Sequence, residues 1–246
     1  MDHSLYVAMT GATQMMRAQS EVAHNLANAD TVGFKAQMSA FQPLAVQGQG
    51  LPTRVNGVAY GQGVDMRQGS QIDTGRELDV AVQGAGWIAV QAPDGSEAYT
   101  RAGGLKLTAD GLLTDDRGNP VMGDGGPITV PQSTQMSIGA DGTLSVVPMG
   151  QTPETIAAVG RIKLVNPDVA ELAQGTDGLM HLVGGGTAPT DPTVTVKSGA
   201  LESSNVNPSE TLVQMIQLSR QYELQIRSIK SADENAQSAS RLLQMT

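Results

Sequence analysis

After Pro208 the chain runs to Thr246 with no further glycine or proline, and its apolar residues fall into a helical pattern. Leu212, Met215, Ser219, Tyr222, Ile226, Ile229, Asp233, Ala236, Ser240 and Leu243 recur every three or four residues, the spacing that lines one face of an α-helix. A helix of this length extends roughly 55 Å at ~1.5 Å per residue. Asn207 is placed to cap the first turn, Pro208 suits the first helical position, and Glu210 stands where a capping-box acid reaches back. The stripe is thin, because Ser219, Asp233 and Ser240 interrupt it with polar groups. One helical partner leaves such a face incomplete, so further partners are expected.

Residues 4–28 predict a second amphipathic helix, with Leu5, Met9, Ala12, Met16, Gln19, Ala23 and Leu26 on one face and Met15 and Val22 beside it. Gly11 interrupts it at a cost of about 1 kcal/mol relative to alanine. With Ala8 and Ala12 nearby, that glycine reads as a point where a neighbouring helix comes close. Asn28 to Gly33 end the helix, Gly33 being suited to a left-handed C-terminal cap. Residues 36–69 lose all periodicity and read as an extended connector, with one strand around Val55–Tyr60.

Between 70 and 200 the pattern changes to short β-strands. Leu78–Val82 alternates, a Gly84-Ala-Gly86 break follows, and Trp87–Gln91 resumes; Leu78, Val80, Val82 and Trp87 are the predicted core. Asp94-Gly95, Asp110-Gly111, Asp124-Gly125, Asp141-Gly142 and Asp177-Gly178 are hairpin-type turn signals. Strands are expected at Leu105–Thr108, Leu112–Thr114, Ile128–Val130, Thr143–Val147, Arg161–Val165 and Thr193–Val196. The predicted fold is α+β and mainly β. An antiparallel central domain (70–200) is flanked by long terminal amphipathic helices (1–35 and 201–246) that pair in an assembly, with 36–69 connecting.

Composition narrows the chemistry. With one Trp, four Tyr and two Phe among 246 residues, the core must be aliphatic. The absence of cysteine excludes disulfides and thiolate chemistry. Net charge is −9, yet residues 209–246 balance Glu210, Glu223, Asp233 and Glu234 against Arg220, Arg227, Lys230 and Arg241, so the acidity lies in the middle. No Lys/Arg cluster exists to displace counterions from a phosphate backbone, so nucleic acid is not an expected partner. No run approaches the ~20 apolar residues of a membrane span, and the opening residues lack the pattern of a cleaved secretory signal. His3, His24 and His181 are scattered, and no G-x-S-x-G, HExxH, Walker or calcium-loop motif occurs. Neither a metal nor a cofactor nor an active site is expected.

Five motifs, in order, carry a resemblance. Asn25-Leu-Ala-Asn28 with Thr31-Val-Gly-Phe-Lys35 opens the series, followed by Thr74-Gly-Arg-Glu-Leu-Asp-Val-Ala-Val82 with Gly84-Ala-Gly-Trp87. Tyr99-Thr-Arg-Ala-Gly103, Asp141-Gly-Thr143, and finally Asn205-Val206, Met215-Ile216 and Arg220-Gln-Tyr-Glu223 complete it. Together they resemble the flagellar axial (rod and hook) proteins from end to end. Trp87-Ile88 stands where that family commonly has paired Phe. The opening Met1-Asp-His-Ser-Leu-Tyr6, Asn207-Pro208 and Ser231-Ala-Asp-Glu-Asn235 point to a proximal-rod type rather than a distal-rod or hook type.

The resemblance implies a non-enzymatic structural subunit of the flagellar basal body, needed for motility. It would leave the cell by the flagellar type III export apparatus, cross the periplasm as part of the rod, and contact itself and neighbouring rod proteins. The residues expected at those contacts are Leu5, Met9, Ala12, Met16, Asn25, Leu26 and Asn28 in front, and Leu212, Met215, Ile216, Tyr222, Ile226, Ile229 and Leu243 behind. Ordering each helical residue costs on the order of 1–2 kcal/mol, whereas a fully buried aliphatic side chain contributes only about 1.5–3 kcal/mol. The terminal helices are therefore expected to be weakly ordered alone and to firm up on assembly. The competing reading, a secreted β-rich binding module on a helical stalk, fits less well because helices stand at both ends.

Overall fold

The computed structural model describes residues 3–45, 55–150 and 156–244. In chain order the elements begin with α1 (His3–Ala27), β1 (Gln37–Ala45), β2 (Val55–Val64), β3 (Gln71–Asp73), β4 (Val80–Gln83), β5 (Trp87–Gln91) and β6 (Glu97–Thr100). Then come β7 (Lys106–Leu107), β8 (Leu113–Thr114), β9 (Met122–Gly123), β10 (Gly126–Pro127), β11 (Ser133–Ile138) and β12 (Thr143–Pro148). The series closes with β13 (Ala157–Arg161), β14 (Leu164–Val165), β15 (Leu172–Gln174), β16 (Met180–Leu182), β17 (Thr195–Ser198), β18 (Ala200–Glu202) and α2 (Pro208–Gln244). Contacts divide the chain into two units. One comprises Met1–Ala29, Ala36–Gly63 and Val206–Thr246; the other comprises Asp30–Lys35 and Val64–Asn205.

In the first unit α1 packs against α2. Ala8, Ala12 and Ala18 are buried, and the Gln225 side chain lies over Gly11 so closely that an added Cβ would meet it at 3.3 Å. On α2 one sheltered row is Thr211, Met215, Leu218, Tyr222, Gln225, Ile229 and Ala232, with Ser219 and Ile226 half-buried beside it. The alternating four- and three-residue steps of that row form a two-helix seam. The helices therefore meet through small residues on α1, and Met9 and Met16 of the predicted stripe are exposed. A methionine seam would hold the axes further apart than an alanine-glycine one does. At the start of α2, Asn207 Oδ1 accepts from the Ser209 N–H at 3.1 Å and the Glu210 N–H at 3.4 Å, which satisfies amides the helix itself cannot bond.

Residues 36–69 differ from the expected connector, because β1 and β2 pair in a two-stranded sheet of their own. The strand expected around Val55–Tyr60 lies within β2; its partner β1 was not expected, because Gln37–Ala45 has few large apolar residues and no period-2 signal. Asn25 acts as a surrogate strand partner here. Its Nδ2 donates to Gln37 O at 2.8 Å, and its Oδ1 accepts from Gln37 N at 2.9 Å.

The second unit is antiparallel throughout its named strand pairs. Its largest sheet has the order β14-β5-β6-β16-β15, a second runs β11-β12-β13, and two-stranded pairings join β17 to β4, β18 to β3, β7 to β8 and β9 to β10. Each of the five Asp-Gly pairs joins hydrogen-bonded neighbours, from β5–β6 to β15–β16. In four of these turns the glycine takes positive φ; in the β9–β10 turn it is Gly126 instead, with φ 123°. Strand β5 is covered on both faces. Ile88 and Val90 join the main core with Val80, Val82, Leu105, Leu113, Leu144, Ile162 and Leu164, while Trp87 and Ala89 join a smaller cluster with Tyr99, Val165 and Met180. Leu78 is partly buried against the main core. Double coverage explains why β5 reads as a continuous apolar run. The fully buried Tyr99 hydroxyl accepts from Ala188 N at 2.8 Å and donates to Glu97 at 3.0 Å; burial pushes its pKa up to about 12.

The strand expected at Ile128–Val130 is absent. Only an isolated bridge, Leu112 to Thr129, forms there, although Ile128 and Val130 are buried. The strand expected at Arg161–Val165 is divided between β13 and β14. Gly103 admits the closest backbone approach: a Cβ there would stand 1.6 Å from Val80 O, and Gly103 O accepts from Val80 N at 2.9 Å. Gly103→Ala should therefore lower the urea-unfolding free energy of the β unit by about 3 kcal/mol or more. An unshifted denaturation midpoint would show that the segment at Gly103 can move away from β4 freely.

Candidate functional site

The second unit is centred on one carboxylate. Glu202, at the end of β18, is almost fully buried, as are Lys35 and Arg101. Lys35 Nζ lies 2.6 Å from Glu202 Oε1, and an Arg101 terminal nitrogen lies 2.9 Å from Oε2. The Gly69 N–H also donates to Oε1 at 3.1 Å. Lys35 reaches on to Arg67 O at 2.7 Å, and Arg101 to Gly84 O at 2.8 Å. The Arg101 guanidinium sits 5.3 Å over the Trp87 ring, a cation–π contact strengthened by the lack of water. Its Nε is buried without a hydrogen-bond partner. Asp65 adds a further negative charge, gripping Arg67 at 2.6 Å; that contact holds the Asp65 carboxyl below the usual carboxylate range.

Backbone geometry brings Lys35 into this position. Gly33 has φ 68°, donates its N–H to Glu202 O at 2.8 Å, and would place a Cβ 2.2 Å from the Arg101 carbonyl carbon. Only glycine fits. The residue is thus not the α1 cap expected of it, since α1 ends at Ala27. Its left-handed conformation serves the approach to Arg101. Asn205 closes the other side, donating its N–H to Phe34 O at 3.4 Å and its side-chain amide to Asp65 O at 2.8 Å. Residues 30–35 follow α1 in the chain and residues 202–205 precede α2, so one buried cluster fixes the two segments through which the chain passes to its helices.

Burial pulls the Lys35 ammonium below the ordinary lysine range, with the Glu202 carboxylate pulling the other way. Lys35 thus releases its proton more readily folded than unfolded. This group weighs against folding at neutral pH, and that penalty fades as pH rises through its folded value toward the ordinary lysine range. In the sequence Lys35 and Arg101 stand out only as members of motifs, and Glu202 does not stand out at all. The available signal was charge in otherwise apolar or small-residue runs, since a Lys or Arg placed there needs an acid.

The residues expected at assembly contacts are placed unevenly. Met9, Met16, Leu212 and Ile216 are exposed; together with Leu224 they range from 47% for Leu212 to 62% for Leu224. Ala12 is buried, while Leu26, Met215, Tyr222, Ile226 and Ile229 are half-buried. Asn25 binds Gln37 as described, and Asn28 donates to His24 O at 2.9 Å. The side chains of Leu5 and Leu243 lie outside the described residues. Among the described residues no group of acids and histidines has metal-binding geometry, and no helix is long and apolar enough to cross a membrane.

Three family profiles cover the regions that carry these features. "Flagella basal body rod protein" matches residues 5–35, "Flagellar hook protein FlgE/F/G D1 domain" residues 81–146, and "Flagellar basal body rod FlgEFG protein C-terminal" residues 197–242. Flagellar basal-body rod protein FlgF of Salmonella typhimurium (strain LT2) is 44% identical over 252 residues, covering 100% of both chains. The chain belongs to the flagellar basal-body rod protein family. FlgF of Escherichia coli (strain K12) is likewise 44% identical with 100% coverage of each. Flagellar basal-body rod protein FlgG of Buchnera aphidicola subsp. Acyrthosiphon pisum is 34% identical, covering 97% of this chain and 99% of the relative.

In this rod-family chain, the Lys35, Arg101 and Glu202 contacts join segments from all three matched regions or their margins. Glu202→Gln keeps the shape and removes the charge, leaving two buried cations without their anion. It should destabilise the β unit by about 3–5 kcal/mol in urea unfolding, with part of the loss recovered in Lys35→Met/Glu202→Gln. Parent-like stability of the single variant would remove the cluster from its anchoring role.

Proposed function

We propose that this chain is a structural subunit of the proximal rod of the flagellar basal body, acting by holding shape rather than by turnover. The end-to-end 44% identity to two basal-body rod proteins FlgF carries the reading. The 34% identity to an FlgG protein makes a distal-rod role the weaker fit. On this reading the subunit is exported by the flagellar type III apparatus, joins neighbouring rod proteins across the periplasm, and passes torque towards the hook. Terminal helices α1 and α2 polymerise into a coaxial inner tube.

The exposed apolar side chains support that division. Tyr6, Met9 and Met16 on α1 and Leu212, Val213, Ile216 and Leu224 on α2 stay accessible even though the two helices cover one another. Such an apolar surface, rimmed by polar residues, is typical of an interaction face. The expected assembly residues thus fall into two roles: exposed ones contact other subunits, and Ala12, Met215, Tyr222 and Ile229 close the α1–α2 seam. Helices held by so few large buried side chains are weakly ordered until neighbours cover them.

Two outcomes follow. Leu212→Asp with Ile216→Asp should leave β-unit unfolding unchanged but abolish motility and incorporation into purified basal bodies in a strain without the parental copy; a motile strain with normal basal bodies would refute helix-mediated assembly. In the isolated parental chain, amide hydrogens of α1 and α2 should exchange far faster than those of β4, β5 and β6. Equal protection would mean that the helices need no neighbours.

A further inference from the structure

The five Asp-Gly turns are chemically unequal. In a turn of this type the glycine amide nitrogen can attack the aspartate side chain, provided that the N–H is not engaged and the carboxyl is free to turn towards it. Four of the pairs are closed to this reaction. Gly95 N–H donates to Ala92 O at 2.9 Å, Gly111 to Thr108 O at 3.0 Å, Gly142 to Gly139 O at 3.0 Å, and Gly178 to Gly175 O at 3.1 Å. Three of their aspartates are also tied down. Asp94 Oδ1 accepts from Ser96 N, Asp141 Oδ1 from Thr143 N, and Asp177 Oδ1 from Leu179 N. The Ser96 and Thr143 hydroxyls further hold Asp94 and Asp141 below the usual carboxylate range, keeping them as carboxylates, which are poor acyl acceptors. Gly111 is pinned at its other end too, its O accepting from Val130 N at 2.7 Å.

Asp124-Gly125 differs from the other four at the attacking nitrogen. Both residues are exposed, and the Gly125 N–H has no acceptor among the described residues. Asp124 meets only Thr190 Oγ1, at the 3.5 Å limit of a hydrogen bond. An added Cβ at Gly125 would find nothing within 4 Å, so the turn has room to rearrange.

We propose that Asp124 is this protein's site of spontaneous isoaspartate formation among its Asp-Gly pairs. The Gly125 nitrogen loses its proton to solvent and attacks Cγ of the protonated Asp124 carboxyl. The N–Cγ bond forms, the C–OH bond breaks, and water leaves a succinimide. Water then adds to either ring carbonyl, restoring aspartate or giving the β-linked isoaspartyl residue, with no change in oxidation state. The isoaspartyl form adds a methylene to the main chain between β9 and β10. In a part that is built once and kept, it would accumulate with age.

The test is incubation of the full folded chain in heavy-oxygen water at neutral pH and 37 °C, followed by peptide mapping, because each passage through the succinimide leaves one heavy oxygen in the residue. Label and isoaspartate should be several-fold higher at Asp124 than at Asp94, Asp110, Asp141 or Asp177, and the five should become similar in urea. Gly125→Ala, which has open space for its Cβ, should suppress the Asp124 signal without altering unfolding. Equal labelling of the folded chain, or greater labelling at another pair, overturns the proposal.

Discussion

Glu202 sits out of water between two cations that are also out of water. A buried ion pair gains little over well-packed apolar groups, but a buried charge that loses its partner is costly. Here the cost is met by saturation: Lys35, Arg101 and the Gly69 N–H all point at the two oxygens of one carboxylate. The arrangement works only if the segment after α1 and the strand before α2 reach the same place. Gly33, Gly69 and Asn205 supply the backbone freedom and the hydrogen bonds that let them do so. The cluster contributes specificity of position more than raw stability, since any register shift of β18 would strand three charges at once.

The two units then have contrasting physical characters. The β unit buries its large aliphatic residues in two clusters that share β5, and it closes its turns with aspartate and glycine. The helical unit buries mainly alanines on α1 and leaves methionine, leucine and isoleucine accessible on both helices. A subunit whose identity lies in contacts with copies and neighbours fits this allocation, with a self-sufficient body and helices that keep apolar surface in reserve.

The terminal helices, the hairpin turns and the predominance of short antiparallel strands were legible in the chain because each depends on neighbours within a few residues. Asn207 caps whatever follows it, and an Asp-Gly pair turns the chain wherever two strands flank it. The motif order likewise sufficed for the family. Other features were not visible: the pairing of β1 with β2, the small-residue face by which α1 meets α2, and the meeting of Lys35 with Glu202, 167 positions apart. The stripe of Leu212, Met215 and Ile226 located a helix correctly but did not say which of its edges a partner would take, since adjacent apolar rows on a helix differ by less than a quarter turn. Local spacing and turn chemistry were thus decided by the sequence itself. Which charge answers which, and which apolar rows stay open, was decided only when the chain closed on itself, because burial and ion pairing are properties of the whole packed body.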